Sequence, residues 1–111
     1  MSKQHETLFN RAIEAGIVAG EAATPTPMLI KGYAPILDGV CGFASVNVAG
    51  NTSFGRWIKK TGRGHKAYYG GLDISISQFS QSYERKLAMA EAMAIVLRRD
   101  DVDAYATGNL D

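Results

Sequence analysis

The sequence predicts a small α/β or α+β fold, with an N-terminal helix followed by a β-α-β-α-β core in which one sheet layer is covered by helices. Three observations carry that expectation. Apolar residues recur at three-and-four spacing over about residues 3–19, 52–61 and 83–97, as amphipathic helices require. They alternate strictly over 43–48 and 72–77, as half-buried strands require. The chain has 111 residues, 46% of them hydrophobic and 21% charged, which suits one folded domain and excludes intrinsic disorder. A single cysteine, Cys41, excludes a disulfide scaffold and suits a reducing compartment.

The elements follow in order. Leu8, Phe9, Ala12, Ile13, Gly16 and Ile17 form the stripe of the first helix, which is expected to end near Gly16 or Gly20, since glycine favours helix C-termini. Thr24-Pro-Thr-Pro-Met28 then fixes extended geometry, and residues 21–40 read as a long connection. The chain therefore divides into an N-terminal helix with its proline-containing connection, residues 1–40, and a compact core, residues 41–111. In that core Ala44, Val46 and Val48 alternate with Phe43, Ser45 and Asn47. Asn51-Thr-Ser53 supplies cap chemistry for a helix in which Phe54, Trp57, Ile58 and Thr61 fall at i, i+3, i+4 and i+7, and Gly62 and Gly64 stop it. Leu72, Ile74 and Ile76 mark the next strand, extended backward by Tyr68 and Tyr69 across a bend at Gly70-Gly71. Ser80 or Ser82 caps the last helix, Glu84 lies in its first turn, and Arg98 and Arg99 lie in its last. Val102 to Ala106 reads as a short third strand.

Net charge is only +1, but its distribution is uneven. Residues 39–72 contain no acidic residue and five basic ones: Arg56, Lys59, Lys60, Arg63 and Lys66. A local field of one sign favours an anionic partner. On the predicted helix the apolar stripe turns Arg56, Lys59, Lys60 and Arg63 to solvent, and His65, Lys66, Tyr68 and Tyr69 follow directly. Cations that neutralise phosphate beside rings that stack on bases are what a nucleic acid or a nucleotide needs. The competing reading is a solvated basic face with both tyrosines packed in the core or an interface. Gln81 and Ser82, at the start of the last helix, are a further candidate anion site, against ordinary capping.

Other chemistry is poorly supported. Gly62-Arg-Gly64 lacks the spacing of a Walker loop and follows a helix instead of preceding one. His5 and His65 are the only histidines, and no metal-ligand spacing occurs. With no persuasive acid, base, nucleophile or metal set, neither catalysis nor a cofactor is expected. No apolar run approaches the roughly 20 residues of a membrane span, and Met1-Ser-Lys-Gln-His-Glu6 opens without an apolar signal core, so a cytoplasmic protein with no membrane partner is expected.

Gly42-Phe43-Ala44, Arg56-Trp57 with Lys59-Lys60, Tyr68-Tyr69-Gly70-Gly71, Gln81-Ser82, the alanine-rich helix from Glu84-Arg85-Lys86 and Asp103-Ala-Tyr105 together resemble a group of small hypothetical proteins of tailed bacteriophages. The resemblance covers about residues 41–111, and Ser45 stands where the group is expected to carry an aromatic. It implies a setting, the cytoplasm of an infected bacterium, and no activity. The leading expectation is a non-enzymatic phage-type accessory protein that binds nucleic acid or a small nucleotide signal, as in counter-defence. The alternatives are an inhibitor or adaptor that docks on an acidic host protein, and a minor virion or assembly component. So short a chain also leaves apolar surface for a homo-oligomer to cover.

Overall fold

The computed structural model describes residues 2–23, 42–79 and 82–110. The elements are α1 (Ser2–Ala22), β1 (Gly42–Val48), α2 (Ser53–Lys60), β2 (His65–Lys66), β3 (Leu72–Ser75), α3 (Tyr83–Arg99) and β4 (Ala104–Leu110). Strands are ordered β2-β3-β1-β4 and every neighbouring pair is antiparallel. The mixed helix-and-sheet class is as expected. The chain order after α1 is β-α-β-β-α-β, because the unpredicted β2 precedes β3 and pairs with it as a hairpin. Two β-α-β units are thereby interleaved: β1 and β2 flank α2 in sequence, β3 and β4 flank α3, and β1 and β3 meet at the centre of the sheet.

Strand alternation decides which face is covered. Ala44, Val46, Val48, Leu72, Ile74, Ile76 and Ala104 are buried and share one face. They pack in one core with Met89, Met93 and Leu97 of α3 and with Phe54, Trp57 and Ile58 of α2. Both helices therefore cover the same side. Among the described residues α1 forms the outermost layer, packed along α3 and touching α2, and sends Leu8 and Ala12 into the same core. His5, Phe9, Phe54 and Trp57 lock α1 to α2 with ring centroids 5.7–6.0 Å apart. The predicted connection over residues 21–40 lies almost wholly outside the described residues.

Two glycines read as terminators prove to be packing sites. Gly16 and Gly20 both lie inside α1, which runs on to Ala22. Gly16 admits Met89 and Met93 of α3, and Gly20 admits the ring of Phe79. Local chemistry sets the other helix ends much as expected. Thr52 caps α2, its Oγ1 accepting the Gly55 N–H at 3.0 Å, and Ser82 caps α3. Beyond α3, the Val102 N–H returns to the Leu97 carbonyl at 3.0 Å while Asp101 takes a left-handed conformation, a close of the Schellman kind. Among the described residues no helix is long and apolar enough to cross a membrane.

Candidate nucleic-acid interface

The face of the sheet that no described helix covers is built from the residues of opposite parity. Register places His65, Asp73, Asn47 and Tyr105 in one row across β2, β3, β1 and β4. Ser75, Ser45 and Thr107 form the next row, and Phe43 with Asn109 lies one step further. Three rings stand exposed here: Phe43 and Tyr69, each 58% exposed, and Tyr105, 47% exposed. Phe43 lies four residues along β1 from Asn47, so the rings are spread over roughly 13 Å of strand.

Tyr69 reaches this face from the β2–β3 turn. Its hydroxyl donates to the Asp73 carboxylate at 3.0 and 3.2 Å and lies 3.5 Å from Thr107 Oγ1. Asp73 is on β3 and Thr107 on β4, so the phenol reaches across β1, which explains why Asn47 is only 4% exposed on a face that no described helix covers. The Asn47 side-chain amide donates to the Gly70 carbonyl at 2.9 Å and to Asp73 Oδ1 at 3.0 Å, tying the turn to the sheet. Gly71, at φ +70°, approaches so closely that a Cβ there would fall 2.6 Å from Asn47 Oδ1 and 2.7 Å from the Val48 carbonyl oxygen. The expected backward extension of the strand through Tyr68 and Tyr69 is replaced by this turn. Tyr68 stands at its tip, fully exposed.

The Tyr69 phenol is perturbed. The Thr107 hydroxyl favours its ionised form, but partial burial, the hydrogen bond to Asp73 and the Asp73 charge, with a lesser effect of Tyr105, outweigh it and raise the phenol above its ordinary value. A group that binds its proton more tightly folded than unfolded stabilises fully below its unfolded value, about pH 10 for tyrosine. That contribution disappears as pH rises through the folded value. Melting temperature is therefore expected to fall more steeply as pH rises above about 10 for the wild type than for Tyr69→Phe. Parallel curves would show that the Tyr69–Asp73 contact contributes nothing.

The structure divides the basic residues predicted from sequence. Arg56, Lys59 and Lys60 are exposed along α2, on the helical side of the sheet, and Arg56 Nη1 donates to the Asn51 carbonyl at 3.1 Å. Arg63 is half-buried, its guanidinium 4.6 Å from the Trp57 ring centroid and 5.5 Å from that of Phe9, so it seals the seam between α1 and α2. His65 faces the open side with its row partner Asp73, while Lys66, paired with Leu72, has the opposite parity at the exposed sheet edge. Ser82 is 1% exposed and its Oγ accepts the Arg85 N–H at 3.4 Å, a capping arrangement; Gln81 lies outside the described residues. The candidates thus form no single patch.

Sequence reasoning passed over Phe43, Tyr105 and Lys86. Lys86 is nine-tenths buried, and its ammonium lies 5.5 Å from the Phe43 ring centroid. The signal for the rings was present: an aromatic at the solvent parity of a half-buried strand has no core to fill. A groove of about 840 Å³ between α1, the start of α2 and the end of α3 also went unforeseen. Leu8, Phe54 and Val102 line it with bases Lys3, Arg11 and Arg99 and acids Asp100 and Asp101, and Arg11 approaches Asp100 at 3.9 Å. Among the described residues no group of His, Cys, Asp and Glu is placed to hold a metal. Compared with protein-family models, curated proteins and solved structures, the chain finds a match in none of them.

Proposed function

We propose that this protein is a non-enzymatic binding module that takes single-stranded nucleic acid across the open face of its sheet. The observation that carries the reading is the set of exposed rings, Phe43, Tyr69 and Tyr105, on a sheet whose other face holds the helical packing of the described residues. Unstacked bases lie on such rings, and a sheet with helices behind it and aromatics in front is a geometry that suits them. Ser45, Ser75, Thr107 and Asn109 intersperse the rings with groups that hydrogen-bond base edges. Lys86 is buried beside Phe43, and Lys66 stands at the β2 edge with the parity of the helical side, so few backbone phosphates are neutralised on this face. Asp73, already engaged by Tyr69 and Asn47, serves as the anchor of the platform.

The resemblance to small tailed-phage proteins over residues 41–111 supports an accessory role in an infected bacterium's cytoplasm. There such a module acts in counter-defence, by occupying a strand that a host nuclease or sensor requires. A second reading has its own observation. The exposed ridge of Arg56, Lys59 and Lys60 lies on the opposite side from the rings and suits an acidic protein surface.

Fluorescence anisotropy with a labelled oligothymidylate and a duplex of equal length tests the first reading. The single strand is expected to bind more tightly. Its affinity should fall with salt at a log–log slope of about −1.4 to −2.1, for two or three neutralised phosphates. Preference for the duplex, or a slope far steeper than this, would move the interaction to the basic ridge. No binding to either, with capture of an acidic protein abolished by Arg56→Glu and Lys60→Glu together, would establish the second reading.

A further inference from the structure

Among the described residues no strand pairs with the outer side of β4, because β4 ends the sheet order. Its polarity follows from two bonds. The Ala49 N–H donates to the Asp103 carbonyl at 3.1 Å, and the Ile76 N–H to the Ala44 carbonyl at 3.0 Å. Antiparallel pairing alternates, so Asp103, Tyr105, Thr107 and Asn109 turn their peptide groups to β1, whereas Ala104, Ala106, Gly108 and Leu110 turn theirs outward. Arg98 Nη1 confirms the direction by donating to the Ala104 carbonyl at 2.8 Å from outside the sheet.

Edge strands of monomeric proteins are ordinarily blunted by lysine, proline, a bulge or an inward charge. Ala104-Tyr-Ala-Thr-Gly-Asn-Leu110 has none of these over seven residues. Beside the edge, α3 contributes Glu91, Ala94, Ile95 and Arg98 to a groove of about 380 Å³ that also includes Ala106. Ile95 is 43% exposed at the middle of that groove. Glu91 precedes it by one helical turn and Arg98 follows it by nearly one, so opposite charges stand on either side of an apolar centre. A twofold axis near Ile95 sets Glu91 of one copy against Arg98 of the other, twice over. Such self-complementarity is what an isologous interface requires.

We propose that a second copy of this chain occupies the β4 edge, pairing antiparallel so that Ala106 of one copy stands opposite Gly108 of the other. Thr107 then lies on the twofold axis, and two four-stranded sheets become one of eight. The paired helices α3 bury Ile95 against its symmetry mate. The open faces of the two sheets join, which extends the ringed surface across the axis. The proposal rests on the β4 backbone and the flank of α3, so it stands or falls independently of what the open face binds.

Light scattering on the full chain, free of nucleic acid, tests it. The expected mass is twice the 11.9 kDa of the chain. Ala106→Pro should give the single-chain mass with unchanged circular dichroism, because the lost N–H faces away from β1. Glu91→Arg alone should raise the dimer dissociation constant about fivefold, by setting arginines against each other at both ends. Glu91→Arg combined with Arg98→Glu should restore pairing, and this covers the case in which the proline variant fails to fold. A wild-type mass of one chain at every accessible concentration, or a dimer indifferent to all three variants, overturns the proposal.

Discussion

Replacing Phe43 and Tyr105 together by alanine is expected to weaken single-strand binding at least about 30-fold. Each stacked ring contributes roughly 1–3 kcal/mol, so even the low end for two rings reaches that factor. Both side chains are largely exposed, so the double variant should keep its melting temperature within a few degrees. That separation of binding from folding is why these two are chosen ahead of Tyr69, whose hydroxyl also ties the β2–β3 turn to Asp73. Arg56→Glu, on the far side of the sheet, should change the same affinity only severalfold, through the general field. Anisotropy titrations of the three proteins under one salt condition check the order. Equal losses for both would mean that charge, and not the ringed face, carries the interaction.

The second large effect is on stability. Gly71→Ala is expected to destabilise the fold by about 2–5 kcal/mol, from two separable costs. A left-handed backbone costs a side-chain-bearing residue roughly 1–2 kcal/mol. The new Cβ would also meet Asn47 Oδ1 and the Val48 carbonyl, the latter fixed in the central strand, and overpacking of that kind costs about 1–3 kcal/mol. Gly62 is the matched control: its φ is +72°, against +70° for Gly71, and a Cβ there would meet nothing within 4 Å. Denaturant unfolding of Gly62→Ala should therefore show the backbone cost alone. The excess in Gly71→Ala measures the close approach of the turn to β1. Because that turn positions Tyr69, the same variant should also lose affinity for the strand. Equal stability losses at the two glycines would show that the turn relaxes without strain.

Much of the fold could be read from periodicity, and the exceptions have physical causes. The three helices and the alternation in β1 and β3 were legible because a buried face imposes its period on the sequence. His65-Lys66 imposes none, since both side chains of this two-residue edge strand are exposed, and without it the interleaved topology could not be inferred. Thr107-Gly108-Asn109 resembles turn composition, which concealed the second half of β4, although Gly108 serves there to admit Tyr83. Gly16 and Gly20 were ambiguous for a similar reason. Only the presence of Met89, Met93 and Phe79 decides between a helix end and a close packing site.

The candidate site was legible in composition and not in direction. The acid-free block correctly isolates a run of exposed cations in α2, but a sequence cannot say that α2 covers the inner face and so carries Arg56, Lys59 and Lys60 away from Tyr69. Arg63, predicted to face solvent, is drawn onto Trp57 because the arrival of α1 creates an aromatic seam there. Conversely, alternation places Phe43 with Ser45 and Asn47 on the face away from Ala44, Val46 and Val48. The meaning of Phe43 emerges only when no described helix lies over that face and Tyr105 is found in register beside Asn47.

The most direct measurement is a two-dimensional NMR titration of the protein, labelled at backbone amides and aromatic rings, with a short oligothymidylate. Binding across the open face predicts that ring signals of Phe43, Tyr69 and Tyr105 and amides of Asn47, Asp73 and Thr107 shift together along one saturating curve. The exposed faces of α1 and α2 should remain still. Shifts confined to Arg56, Lys59 and Lys60, or to the groove lined by Arg11 and Arg99, would contradict the account and place the ligand on the helical side.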